Sequence, residues 1–189
     1  MRSREIVEIM ADVMREVAKD CTLRVIDRRG SLMEIDCPEI NYIFGNAMYI
    51  KERLDELSTT GGEVMKFPLI ALYCPFTEER NNPKFHSKAK VRMLIATGSS
   101  REWNNEERLV YSFRNVLRPI YDSFIKALKA DGRFDFGYEG KVKHSYSENY
   151  SYGKYGAVTA SGDEVSETID AIDISNLELI VKLTNCRTR

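Results

Sequence analysis

The chain has 189 residues, 43% of them hydrophobic and 30% charged, with a formal net charge of −1. That is the composition of a soluble globular chain long enough to bury a real core, and its near-neutral balance favours neither nucleic acid nor an acidic membrane as a bulk partner. No apolar run approaches the roughly 20 residues that a membrane span needs, so no membrane partner is expected.

In chain order, residues 4–18 place Ile6, Ile9, Met10, Val13, Met14 and Val17 at helical spacing with charges between them. This predicts an amphipathic first helix that ends near Asp20. Acids among those apolar residues are wrong for a signal peptide. CTLRVIDRRGSLMEID then reads as two short extended runs around Arg29-Gly30, a hairpin or tight turn. PEINYIFGNAMYIKERLDEL predicts an extended piece and a short helix through Leu54 and Leu57, broken by Gly61-Gly62. MKFPLIALYCPF is apolar almost throughout, as a central strand would be, with Pro68 near its start and Pro75 at its end. TEERNNPKFHSK follows as a loop long enough to form a contact surface.

In the next strand Ala89, Val91, Met93 and Ile95 share one face, and Lys88, Lys90 and Arg92 share the other. No acid occurs from Arg80 to Arg101. The plain reading is a solvated strand face with a basic loop. The sharper one is a subunit, partner or DNA contact through Arg80, Lys84, Lys88, Lys90 and Arg92. Trp103 is expected as a core plug at a strand-to-helix junction. Asn104 and Glu107 have capping-box spacing, and Leu109, Val110, Phe113, Val116, Leu117, Ile120, Tyr121, Phe124 and Leu128 form one apolar stripe. Pro119 inside that stripe predicts a kink or a restart.

Residues 131–162 are rich in Gly, Tyr and Ser and lack periodicity. They read as an arm or hairpin ordered at least in part by a neighbouring subunit, with Tyr138, Tyr146, Tyr150, Tyr152 and Tyr155 as contact side chains. In the closing run, ETIDAIDISNLELIVKLTNC, Ile172 and Ile174 alternate in one phase; Leu177, Leu179, Val181 and Leu183 alternate in the other. One long strand with a bulge at Ser175-Asn176 reconciles them. Asp170 and Asp173 are expected to solubilise its outer face or cap an edge. Together these elements predict a single α+β domain over residues 1–189, a mixed or mainly antiparallel sheet packed on the first helix and the Pro119 helix.

Chemistry is sparse. Cys21, Cys37, Cys74 and Cys186 are scattered with no CxxC pair, and read as reduced thiols in a cytoplasmic setting, most of them small core residues. His86 and His144 lie in expected loops without HxxH or HExxH spacing. GxSxG, GxxxxGK[ST] and GxGxxG are absent from the sequence. We therefore expect no catalysis, no cofactor and no metal. An enzyme reading would require His86, His144 and nearby carboxylates to converge in one pocket.

The order of pieces is informative in itself. KFPLIALYCPFTEER, VRMLIATGSSREWNNEER, the helix FRNVLRPIYDSFIKAL, the Tyr/Gly arm and IDAIDISNLELIV resemble structural proteins of tailed bacteriophages and prophages of Bacteroidetes. The likeness is to tail-terminator or tail-completion proteins of the head–tail neck. It spans roughly residues 60–184, and Phe113 to Leu128 with Ile169 to Val181 carry most of it. The resemblance implies a homo-oligomeric ring in the virion, assembled in the host cytoplasm. Such a ring meets tail-tube and connector or portal-proximal proteins and leaves a passage for DNA. A second reading is a nucleic-acid-binding accessory protein that uses the basic 80–101 segment and stacks bases on the tyrosines.

Overall fold

The computed structural model describes residues 5–26, 31–59, 67–82, 86–155 and 167–182. Helix α1 (Ile6–Lys19) buries all six apolar residues that its spacing marked, and Asp20 closes it with an N–H on the Val17 carbonyl. Strands β1 (Thr22–Ile26) and β2 (Leu32–Asp36) pair antiparallel as a small separate sheet, Thr22 opposite Asp36 and Ile26 opposite Leu32. The expected turn at Arg29-Gly30 lies outside the described residues.

The main sheet has the order β3-β4-β5-β7-β6, built from β3 (Asn41–Gly45), β4 (Leu69–Asn82), β5 (His86–Ser99), β6 (Ser145–Tyr155) and β7 (Glu167–Lys182). β3 runs parallel to β4, and the other neighbouring pairs are antiparallel. A parallel pair needs a crossover, and α2 (Ala47–Thr59) lies in it. The chain is thus α+β with a mixed, mainly antiparallel sheet, as its pattern implied.

One sheet face carries the larger core. Ala89, Val91, Met93 and Ile95 of β5, with Ile172, Ile174, Leu177, Leu179 and Val181 of β7, meet α1, the small hairpin and the long helix there. Under α2, on the other face, Ile50 closes a smaller core of Leu69, Ala71, Leu94, Ala96, Ile169 and Ala171. The β7 bulge stands where the sequence places it. Leu177 faces Val91 and Ile174 faces Met93, so Ser175 and Asn176 together oppose Arg92, with Asn176 at φ 54. The extra residue turns both apolar phases toward the same core.

The capping box also forms: the Asn104 side chain accepts from the Glu106 and Glu107 N–H groups, and Glu107 accepts from the Asn104 N–H. From there α3 (Asn105–Arg108), a π-helical stretch (Leu109–Leu117) and α4 (Arg118–Ala130) run on end to end. Within the π stretch the turns widen, so the Arg118 N–H reaches the Phe113 carbonyl five residues back. Pro119 then occupies the first turn of α4; it has no N–H to give to the preceding turn, and the widened π turns lie directly before it. The backbone stays helical through Leu117 and Arg118, so in place of the expected kink or restart the run changes from π to α turns next to the proline.

Several expectations need correction. Pro75 does not end β4. Cys74, Pro75 and Phe76 step out of the ladder opposite the single residue Val91, and pairing resumes at Thr77 opposite Lys90. A proline, lacking a donor, is tolerated at such a bulge. The expected loop TEERNNPKFHSK is therefore largely strand, β4 to Asn82 and β5 from His86; Lys84 lies outside the described residues. Trp103 is only half-buried, its ring centre 5.2 Å from that of Tyr111 and tilted against it. Of the described cysteines, Cys21 is buried, Cys74 half-buried and Cys37 exposed, so core placement fits one of three; Cys186 lies outside them.

Of the two forms expected for the Tyr/Gly segment, arm or hairpin, its second half takes the hairpin, with β7 as the partner strand. Its first part is pinned to β7 by backbone bonds from the Asp135 N–H to the Ile180 carbonyl, 2.8 Å, and from the Glu178 N–H to the Lys143 carbonyl, 3.0 Å. Residues 145–155 then form β6 on the edge of the chain's own sheet. These contacts all lie within the chain. Residues 156–162 lie outside the described residues.

Candidate functional site

Lys88, Lys90 and Arg92 do face outward from β5, and each meets a carboxylate supplied from β7. Glu178 lies 3.9 Å from Lys88 and 3.5 Å from Lys90. Asp173 grips Arg92, its Oδ2 3.1 Å from Nε, while the guanidinium carbon sits 4.9 Å from the centre of the Tyr73 ring. Arg80 bridges Glu5 and Glu78 at 2.9 Å each. Within the acid-free run, Arg80, Lys88, Lys90 and Arg92 are thus each met by acids from outside it. Exposed pairs add little stability. Their effect is on the field of this face: phosphates would have to compete with carboxylates already in place.

The tyrosines are likewise engaged by their own chain. Tyr146 donates to Glu148 at 2.6 Å and meets the Tyr121 ring edge-on at 4.9 Å. Glu148 takes two bonds from Arg118, 2.7 and 3.0 Å. Tyr150 lies 4.3 Å from the Phe113 ring, and the Tyr152 hydroxyl is 3.4 Å from Arg92. Tyr155 belongs to β6 opposite Glu167, its side chain outside the described atoms. Tyr138 is fully exposed in the turn before β6. The site residues are therefore split between the outer sheet face and the β6 edge, and do not form a single stacking platform.

Arg118 holds the Glu148 carboxyl below its usual range, chiefly through these hydrogen bonds, against a smaller opposing push from burial. A depressed folded pKa stabilises the fold above the unfolded value, near 4.5 here, and that contribution fades as the pH falls below it. Wild type should therefore lose more stability between pH 6 and pH 3 than Glu148→Gln does. Urea midpoints at both pH values check this; parallel losses would show that the pair is not coupled to folding.

The histidines lie in different surroundings. His86, at the start of β5, is 3.7 Å from Asp135. His144 Nδ1 is 2.9 Å from the Val142 carbonyl and Nε2 is 2.7 Å from the Tyr121 hydroxyl. A carbonyl can only accept, so in the neutral ring the proton sits on Nδ1 and Nε2 accepts from Tyr121. A groove of about 780 Å³ between α1 and α4 is lined by Asp12, Glu16, Lys126 and Arg133 among others, and by neither histidine. Among the described residues, no three His, Cys, Asp or Glu side chains are placed to hold a metal ion, and no helix is long and apolar enough to cross a membrane.

Asp170, expected on a strand's outer face, is completely buried. Its carboxylate accepts from Arg108 Nη1 at 2.9 Å, from Ser112 Oγ at 2.7 Å and from the Ser151 N–H at 2.8 Å. Arg108 also donates to the Ser100 and Trp103 carbonyls. Ser151 is the middle of three β6 residues, Tyr150 to Tyr152, that bulge opposite Asp170. The buried acid therefore ties the start of the long helix to the outermost strand. This correction follows from phase: Asp170 shares the parity of Ile172 and Ile174, which point into the core.

What the fold leaves open is its margins. Among the described residues β3 pairs with β4 alone and β6 with β7 alone. Phe44, on β3, is 49% exposed, and Met48 and Tyr49, at the start of the adjoining α2, are 72% and 45% exposed. On β6, Tyr146 and Tyr150 are 40% and 36% exposed. β3 reads NYIFG, with no charge and no proline, which are the usual guards of a free edge. The chain matches no protein-family model, no curated protein and no solved structure.

Proposed function

We propose that the chain is a non-catalytic assembly subunit, one copy of a ring at the head–tail interface of a tailed bacteriophage. The ring would terminate or complete the tail and join it to the connector. The observation that carries the assembly part is that, among the described residues, β3 has a strand neighbour on one side only, with large apolar side chains exposed beside it, because a sheet margin of this kind is a template for another chain. Placement in the phage neck rests on the resemblance of residues 60–184. The carboxylates beside Lys88, Lys90 and Arg92, and tyrosines that do not gather into one stacking platform, favour this reading over the nucleic-acid one.

Light scattering over a concentration series, with negative-stain imaging, tests the reading. Closed rings, or oligomers that grow with concentration, are the expected result. A chain that stays monomeric and also fails to associate with phage neck or tail proteins would overturn it.

A further inference from the structure

Among the described residues the two margins of the main sheet, β3 and β6, are unlike each other. β3 is short, uncharged and flanked by Phe44, Met48 and Tyr49. β6 is longer and presents Tyr146 and Tyr150, rigid aromatic side chains that supply contact area at low entropic cost. Their directions also differ. β3 runs with β4, β4 opposes β5, β5 opposes β7 and β7 opposes β6, so β6 points opposite to β3. Two copies set side by side in the same orientation would bring β6 of one against β3 of the next in the antiparallel sense. That is the more stable pairing, and it continues the sheet without flipping either subunit.

From this we infer that copies of the chain join edge to edge, β6 of one subunit against β3 of the next. The partner of each edge is thus a second copy, and this rests on the assembly reading above. The junction is heterologous, each subunit contributing two different patches, so repetition closes into a ring when the rotation permits. Backbone hydrogen bonds supply the pairing, as in strand addition to a sheet edge. The tyrosines of β6 and the apolar residues around β3 are then covered together. The Asp170 carboxylate holds the Ser151 N–H at 2.8 Å and so presets the shape of one partner edge.

Two exposed positions allow a direct test, Phe44→Lys on β3 and Ser147→Lys on β6. Each places a charge on one edge and leaves the other intact. Sedimentation should show that each variant alone associates at least tenfold more weakly than wild type. An equimolar mixture should regain dimers, because the intact β6 of the first variant meets the intact β3 of the second. If only one variant weakens association, the contact pairs like edges and the inference fails. If both associate normally, the interface lies elsewhere, and the assembly reading survives without this inference. A wild-type chain that stays monomeric in every condition removes both. Hydrogen exchange on the unaltered protein guards against a folding defect in the variants: amides of residues 41–45 and of 145–149 should both gain protection on association. Lack of change in either segment overturns the proposal.

Discussion

Asp170→Ala should destabilise the fold by about 3–5 kcal/mol, because it leaves the Arg108 guanidinium buried without its counter-charge. Arg108 is 4% exposed and Asp170 completely buried, so water cannot take over the lost partner. The substitution also takes the acceptor from the Ser112 hydroxyl and the Ser151 N–H, and the hydroxyl, which is buried, adds its own penalty. Chemical denaturation of the single variants and of the double variant Arg108→Met/Asp170→Leu gives the decisive comparison. The double variant should recover much of the loss, since removing both charges of a buried pair is far less costly than removing one. A double variant as unstable as Asp170→Ala would mean that the strand geometry, and not the charge, is what matters. Hydrogen exchange in Asp170→Ala should rise most in β6, the strand whose bulge the carboxylate holds.

Phe113→Ala should cost about 3–5 kcal/mol, the range for truncating a fully buried phenylalanine. The ring is fully buried in the π-helical stretch, inside the larger core, and lies 4.3 Å from the Tyr150 ring. Two effects follow from one side chain: a cavity opens in the core, and the β6 edge loses the surface on which Tyr150 rests. Tyr150→Ala should reproduce only the second, at about 0.5–1.5 kcal/mol beyond the area it uncovers, while Tyr150→Phe should be nearly silent. Thermal and urea unfolding of the three variants would separate these contributions. Equal losses for Phe113→Ala and Tyr150→Ala would place the energy in the ring pair instead of the core.

Much of this architecture was legible in sequence because it obeys short-range rules. The α1 stripe and the Asn104–Glu107 box depend on spacings of a few residues. The β7 bulge was legible too, since the alternation of Ile172 and Ile174 clashes with that of Leu177 and Leu179. What escaped depends on residues brought together from afar. The basic run at residues 80–101 looks unopposed only until Glu178 and Asp173 arrive from β7. Pro75 looks like a strand end because sequence does not show that a neighbouring strand can skip past it. The tyrosine segment looks like an arm because its partner, β7, follows it in the chain. Asp170 was legible in principle: it is an acid in an inward phase, and only the distant Arg108 and Ser112 explain it.

The bulge at Ser175-Asn176 has a further consequence, for how this chain can change in length. A one-residue deletion within a regular strand reverses the facing of everything beyond it. Here the strand already carries one residue more than its partner, so deletion of Asn176 would leave Ser175 alone opposite Arg92 and keep Ile174 and Leu177 on the buried face. It would also remove a non-glycine residue from positive φ. The middle of β7 should therefore tolerate losing a residue that its flanks cannot spare. A melting midpoint close to wild type for the Asn176 deletion, beside collapse for deletion of Glu178, would mark this point as the strand's natural site of length variation.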